Sequence, residues 1–176
     1  MSSIIIYGSN YGTTKQYAEE LSKRTNIKAI PFKKFNQPID DYNNIIYLGG
    51  LYAGGVLGMS KTPKKINNIS NKKIIIATVG LADPNNEVNK NNIKNNIKSQ
   101  IPKEVFEKAK IFYLRGGIDY SKLNFAHKTM MKMLYNKVKN LPKEKQTAED
   151  RAMIETYNKK VNFIDFSSLD KIVNEI

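Results

Sequence analysis

Cysteine is absent from the chain, which excludes disulfides, iron–sulfur clusters and Cys-based zinc sites. No metal site is expected, and thiols give no indication of compartment. Long apolar runs are absent too. None approaches the ~20 residues of a membrane span, and the opening Met-Ser-Ser-Ile-Ile-Ile-Tyr lacks the basic leader and long apolar stretch of a signal peptide. A cytoplasmic protein is expected. Acid is scarce: 16 Asp+Glu face 29 Lys+Arg, for a net charge of +13. That excess reads either as attraction to an anionic partner or as a compositional bias in which Lys, Asn and Ile dominate and Arg is rare. The lysines are spread thinly, with no run of five or more, so no nucleic-acid partner is expected. Histidine is nearly absent, His127 being the one instance.

What is present suffices for a core. The 176 residues, 40% of them hydrophobic, suit one domain spanning 1–176. Short apolar runs read as strands at Ser3–Tyr7, Ile27–Phe32, Asn44–Gly49, Lys73–Gly80 and Lys110–Arg115. Between them lie a helix over Thr13–Arg24 with Tyr17, Ala18 and Leu21 on one face, a short helix over Lys64–Ile69 after Pro63, and a helix over Asn86–Gln100. In the last of these, Ile93, Ile97 and Ile101 recur at i, i+4 and i+8. Near-continuous apolar strands separated by helices imply a parallel sheet covered on both faces. Five of them give an α/β doubly wound three-layer sandwich, and right-handed crossovers place the strands in the order 2-1-3-4-5.

The last third breaks this rhythm. A helix over Ser121–Asn140, ended by Pro142, sets Leu123, Ala126, His127, Met130, Met131, Met133, Leu134, Val138 and Leu141 on one broad face. That face is read as core-directed, with His127 a satisfied core histidine and the methionines core filler. Lys128, Lys132, Tyr135 and Lys139 occupy the other face, read as solvated; the alternative is peripheral contact with a membrane surface or an anionic partner. Thr147 and Asp150 form a capping-box-like helix start, Val161–Phe166 is a short extended piece, and Ser168 caps a last helix carrying Leu169, Ile172, Val173 and Ile176. Residues 121–166 thus make an appended helical element.

The chemistry-bearing stretch is Gly8-Ser9-Asn10-Tyr11-Gly12-Thr13-Thr14, between the first strand and the first helix. A helix start at the carboxyl end of a parallel strand offers unpaired N–H groups and the positive end of the helix dipole. Ser9, Thr13 and Thr14 add hydroxyls, and Gly8 and Gly12 allow a tight turn. Together they make a cradle of neutral donors for a phosphate monoester; the plain alternative is a strand–turn–helix with a Thr cap. No Gly-Lys-Ser/Thr follows, and the glycine spacing is not that of a dinucleotide turn. The strand ends carry Gly-Ser and Gly-Gly rather than clustered carboxylates, which excludes a receiver domain on the same topology.

The run Ser9-Asn10-Tyr11-Gly12-Thr13-Thr14 resembles the phosphate loop of flavodoxins, S/T-x-T-G-x-T, with Tyr11 in place of the usual Thr. That resemblance implies a flavodoxin-like three-layer sandwich that binds FMN. It also implies two ring-holding loops after strands three and four, here Leu51-Tyr52-Ala53-Gly54-Gly55 and Thr78-Val79-Gly80-Leu81-Ala82-Asp83. The cofactor-binding residues so implied are Ser9, Asn10, Tyr11, Gly12, Thr13, Thr14, Tyr52, Ala53, Gly54, Gly55, Thr78, Val79, Gly80 and Leu81. Tyr52 either stacks on the ring or packs beneath its loop, and Asp83, before Pro84, reads as a turn residue. Further along, Arg115-Gly116-Gly117-Ile118-Asp119-Tyr120, the Met-rich basic helix and Glu149-Asp150-Arg151 are similar to the flavodoxin-type, menaquinone-dependent protoporphyrinogen oxidases. Those carry a helical insertion after strand five but bulkier polar residues where this chain has Ala53, Gly54 and Gly55.

Two functions follow from the resemblance. One is an FMN-dependent oxidoreductase that oxidises a planar anionic substrate such as protoporphyrinogen with a quinone-type acceptor. The other is an electron carrier or flavin module with redox protein partners only. No acid–base residue is singled out. Arg115, at the end of strand five, faces either an anionic substrate, flavin charge or a helix terminus.

Overall fold

Every apolar strand run in this chain must bury both of its faces, and the fold follows from how that is done. The computed structural model describes residues 2–52 and 55–176; Ala53 and Gly54 of the expected ring loop lie outside them. Strands β1 (Ser3–Gly8), β2 (Ala29–Pro31), β3 (Asn44–Tyr52), β5 (Lys73–Gly80) and β6 (Lys110–Arg115) form a parallel sheet. Their order is β2-β1-β3-β5-β6, which is the expected 2-1-3-4-5, and a short β4 (Gly55–Val56) folds back antiparallel on β3. The period-2 alternation sends Ile4, Ile6, Ile45, Tyr47, Ile74 and Ile76 to one side and Ile5, Tyr7, Ile46, Leu48, Ile75 and Ala77 to the other.

Helices cover both sides. Tyr17, Ala18 and Leu21 of α1 (Thr13–Thr25), with Leu169 and Ile172 near the carboxyl terminus, seal one face. Ile93 and Ile97 of α2 (Glu87–Gln100), with Ile101 and Val105, seal the other. Burying an aliphatic side chain contributes roughly 1.5–3 kcal/mol, so these two layers dominate the fold's stability. Tyr17 adds a polar tie: its hydroxyl donates to Arg115 O at 2.7 Å and accepts the Asp165 N–H at 3.0 Å.

Several expectations change in detail. The helix expected over 64–69 is replaced by two 3-10 turns, Met59–Lys61 and Pro63–Lys65. The Asp40 carboxylate accepts the N–H groups of Asn67 and Asn68 at 3.3 and 3.4 Å, drawing that backbone out of a helical path. An additional short helix, α3 (Lys103–Lys108), follows Pro102. The last helix is capped by Asp165 rather than Ser168: the Asp165 side chain accepts the Ser167 N–H at 2.9 Å, opening a 3-10 turn over Phe166–Leu169 that runs into α6 (Asp170–Val173).

The appended region consists of β7 (Gly117–Asp119), α4 (Phe125–Val138), α5 (Ala148–Thr156) and β8 (Lys160–Asn162), with β7 and β8 paired antiparallel. The expected core-directed face of α4 is corrected. Of its nine residues only Leu123 and Val138 are buried, while Met133 is 68% exposed and neighbouring Phe125 86% exposed. The reason is steric: both sheet faces are already covered, so α4 has no core left to enter. Aromatic packing holds the region instead. Tyr157 stacks on Tyr135 with centroids 3.9 Å apart and meets Tyr120 edge-on at 5.3 Å. Burial, with Tyr157 nearby, pushes the Tyr120 hydroxyl up to about 12. Among the described residues, no helix is long and apolar enough to cross a membrane.

Candidate functional site

The carboxyl ends of β1, β3 and β5 bring three loops together. In the first, Gly12 takes φ +95°, a left-handed conformation, and forms the non-helical start of α1. Glycine adopts it freely, whereas an L side chain there costs roughly 1–2 kcal/mol. The turn exposes consecutive backbone donors. The N–H groups of Asn10, Tyr11, Thr13, Thr14 and Lys15 make no hydrogen bond among the described residues; Gly12 N–H uses Ser9 Oγ at 3.1 Å. Thr13 Oγ1 donates to Gly117 O at 3.3 Å, which ties the loop to β7, and Thr14 is buried behind it. The nest has no fixed cation among the described residues: Lys15 is exposed and pairs with Glu19 at 3.5 Å. Its attraction for an anion therefore comes from backbone N–H groups and the helix dipole.

The second and third loops stand beside it. Tyr52 is partly exposed at the end of β3, and Gly55 begins β4. Thr78 and Val79 are buried inside β5, so Gly80 and Leu81 are the partly accessible members of the third loop. Asp83 acts as the turn residue expected of it, accepting the Asn85 N–H at 2.9 Å. Arg115 braces the same loop. Its Nε donates to Leu81 O at 3.0 Å, and its guanidinium lies over the Phe163 ring at 3.9 Å.

The appended region brings two further residues here that sequence reasoning did not place. His127, expected in a core, stands between the first and second loops. The Tyr11 hydroxyl and His127 Nδ1 are hydrogen-bonded, their rings meet edge-on at 5.4 Å, and the Tyr52 ring lies 5.2 Å from that of His127, tilted against it. Tyr11 Oη also accepts the Asn124 N–H at 3.4 Å, so the first-loop tyrosine holds the start of α4. The second residue is Glu149, whose carboxyl reaches the third loop. Burial raises its pKa, partly offset by hydrogen bonds from Ala82, Leu81 and Asn89. Thr147-x-x-Asp150 marked the helix start around Glu149, but no periodicity shows which neighbour a helix's first turn will touch.

A concavity of about 790 Å³ is an open groove between residues 35–40 and 60–67, and no residue of the three loops lines it. The loops offer convergent donors at the sheet's switch point, where open α/β sheets hold their ligands, and they are the stronger site.

Residues 4–147 match the family model described as Flavodoxin domain. The chain belongs to the flavodoxin domain family. No curated protein matches it significantly. Solved structures similar to it include the oxidised flavodoxin 1 of Bacillus cereus, at 15% identity and a TM-score of 0.43 over 64% of this chain and 82% of that one. A Fusobacterium nucleatum flavodoxin bound to flavin mononucleotide aligns at 18% identity and 0.42 over 71% and 75%. A flavodoxin from the domain Archaea aligns at 14% and 0.38 over 66% and 85%. Family membership rests on the 4–147 match and not on these distant likenesses.

Proposed function

We propose that this flavodoxin-family chain binds one FMN and works as a cytoplasmic electron-transfer flavoprotein, exchanging electrons with a redox protein partner. The observation that carries this is the nest of unengaged N–H groups at the start of α1, set beside two loops at adjacent strand ends. A single phosphate monoester suits such a nest. Ser9, Asn10, Tyr11, Gly12, Thr13 and Thr14 hold that phosphate; Tyr52, Gly55, Gly80 and Leu81 flank the ring. FMN supplies reversible one- and two-electron chemistry when bound, while the chain binds it, orients it and sets the surrounding field. Residues 1–176 act as one unit in this account, the 121–166 element included.

A second reading, oxidation of a flat anionic donor such as protoporphyrinogen by a quinone-type acceptor, is favoured by one observation. The appended element delivers His127 and Glu149 to the loops, which a simple carrier does not require. Two measurements separate the cases. The visible spectrum of protein reconstituted with FMN or FAD, followed through anaerobic reduction, should show FMN at one per chain. FAD selectivity or no flavin uptake would contradict the main reading. Anaerobic porphyrinogen oxidation above the spontaneous rate, lost when 121–166 is disrupted, would add the second.

A further inference from the structure

We propose that Glu149 competes with the flavin for the N–H groups of the Gly80–Ala82 loop, making this one carboxyl the residue that governs how tightly FMN binds. The proposal rests on the FMN reading above and concerns the ring end of the site, where that reading gives Glu149 no part.

The placement of the carboxyl is unusual for a surface helix. Glu149 lies in the first turn of α5, and the reciprocal cap between Thr147 and Asp150, at 2.9 and 3.1 Å, fixes that turn. From there the side chain crosses to the end of β5. Ala82 N–H donates to Oε1 at 3.4 Å, with the Leu81 N–H and the Asn89 side chain also directed at the carboxyl. A Cβ placed on Gly80 would stand 2.8 Å from Glu149 Oε1 and 2.7 Å from Leu51 Cδ1. The carboxyl oxygen therefore fills the corner between the second and third loops, and glycine at position 80 leaves room for it.

The surroundings make its charge consequential. The groups facing it are the loop N–H groups, the buried Asn89 of α2, Leu51 of β3 and Asp150 on its own helix. Arg115 of β6 holds the loop from the carbonyl side, at Leu81 O. No ion pair among the described residues involves Glu149. Its partners are neutral N–H donors of the kind that the carbonyl edge of a flat heterocycle also seeks. One N–H serves one good acceptor at a time, and a carboxylate is a stronger acceptor than a neutral acid or a ring carbonyl. Ionised Glu149 therefore keeps the donors, and neutral Glu149 yields them. Burial shifts the exchange of charge above the ordinary carboxylate range.

The test is FMN affinity, read by quenching of flavin fluorescence, for wild type, Glu149→Gln and Glu149→Ala across the carboxyl's titration. Wild type should bind about tenfold more tightly at the acid end than at the alkaline end, the worth of one charge-assisted over one neutral hydrogen bond. The two variants should exceed wild type by about the same factor at the alkaline end and converge with it at the acid end. The FMN phosphate titrates alike in all three, so the difference between them isolates the carboxyl. In the flavin-free protein, the amide shifts of Leu81 and Ala82 should titrate in wild type and not in Glu149→Gln. Variants that bind FMN no tighter than wild type at any pH, or more weakly, would overturn the proposal and leave Glu149 a structural brace. Loop amides that titrate identically with and without the carboxyl would overturn the contact. If no variant binds FMN while the amides still respond to Glu149, the FMN reading fails and the competition falls with it.

Discussion

Four residues carry the account at the smallest scale. Gly12 matters for its backbone alone, because a Cβ there meets nothing within 4 Å. Gly12→Ala should therefore destabilise the fold by about 1–2 kcal/mol through the left-handed φ, seen as a lower urea midpoint at unchanged slope. Thr14 is buried at the nest; Thr14→Ala should weaken FMN binding by about 1–2 kcal/mol, while Thr14→Ser should restore most of it. His127 links α4 to the turn before α1 through Tyr11. His127→Phe keeps the ring contacts but loses the hydrogen bond, and should cost about 0.5–1.5 kcal/mol, with faster amide exchange confined to the first turn of α4. Glu149 makes stability depend on pH with a definite sign. Its folded-state pKa is raised by burial, so the folded chain holds that proton more tightly than the unfolded one. The resulting stabilisation is fully present below the unfolded-state value and is lost as pH rises through the raised one. Urea midpoints measured across that window should decline in wild type and stay flat in Glu149→Gln; an equal decline in both would contradict the assignment.

At the scale of elements, the central sheet was legible because each strand is a short apolar run bounded by Gly, Asn or Lys, and a strand buried on both faces has no other way to read. The turn at Gly12 was picked out for a similar reason: Gly8, Gly12 and the hydroxyls lie within one contiguous stretch, where Gly12 takes its left-handed φ. What escaped was set by neighbours distant in sequence. Periodicity identified the apolar side of α4 but not what stood opposite it: with both sheet faces filled by α1, α6, α2 and α3 the sheet core did not, and His127 meets Tyr11 and Tyr52 instead. Likewise the helix expected over 64–69 lost its backbone donors to Asp40, about 27 residues earlier in the chain. The same reasoning explains why the appended region depends on local devices. It lacks a large core and relies on the Tyr120–Tyr157–Tyr135 contacts and the Thr147/Asp150 cap. Thr147→Ala should cost about 0.5–2 kcal/mol and loosen α5 while β1, β3 and β5 keep their amide protection. Uniform loss of protection would instead place α5 in the main cooperative unit.

For the whole molecule the relevant quantity is the net charge of +13. A positive surround stabilises the negative charge that a flavin gains on reduction, so the two-electron potential should be less negative than in an acidic protein of this family. Screening over the ~8 Å Debye length at physiological salt limits the effect. Yet a 30 mV shift corresponds to only ~1.4 kcal/mol in a two-electron couple. Potentiometric titration should therefore show the potential falling as salt is added; a strongly negative, salt-insensitive value would count against it. The central claim is that the turn at Gly12 is a phosphate site and that FMN is what the molecule was built to hold. Parallel titrations with FMN and with riboflavin, which has the same ring and no phosphate, test it most directly. The account predicts one FMN per chain, bound more tightly than riboflavin by about a hundredfold, or ~2.7 kcal/mol, with the gap narrowed in Thr14→Ala. Equal affinity for the two flavins, or no binding of either, would contradict it.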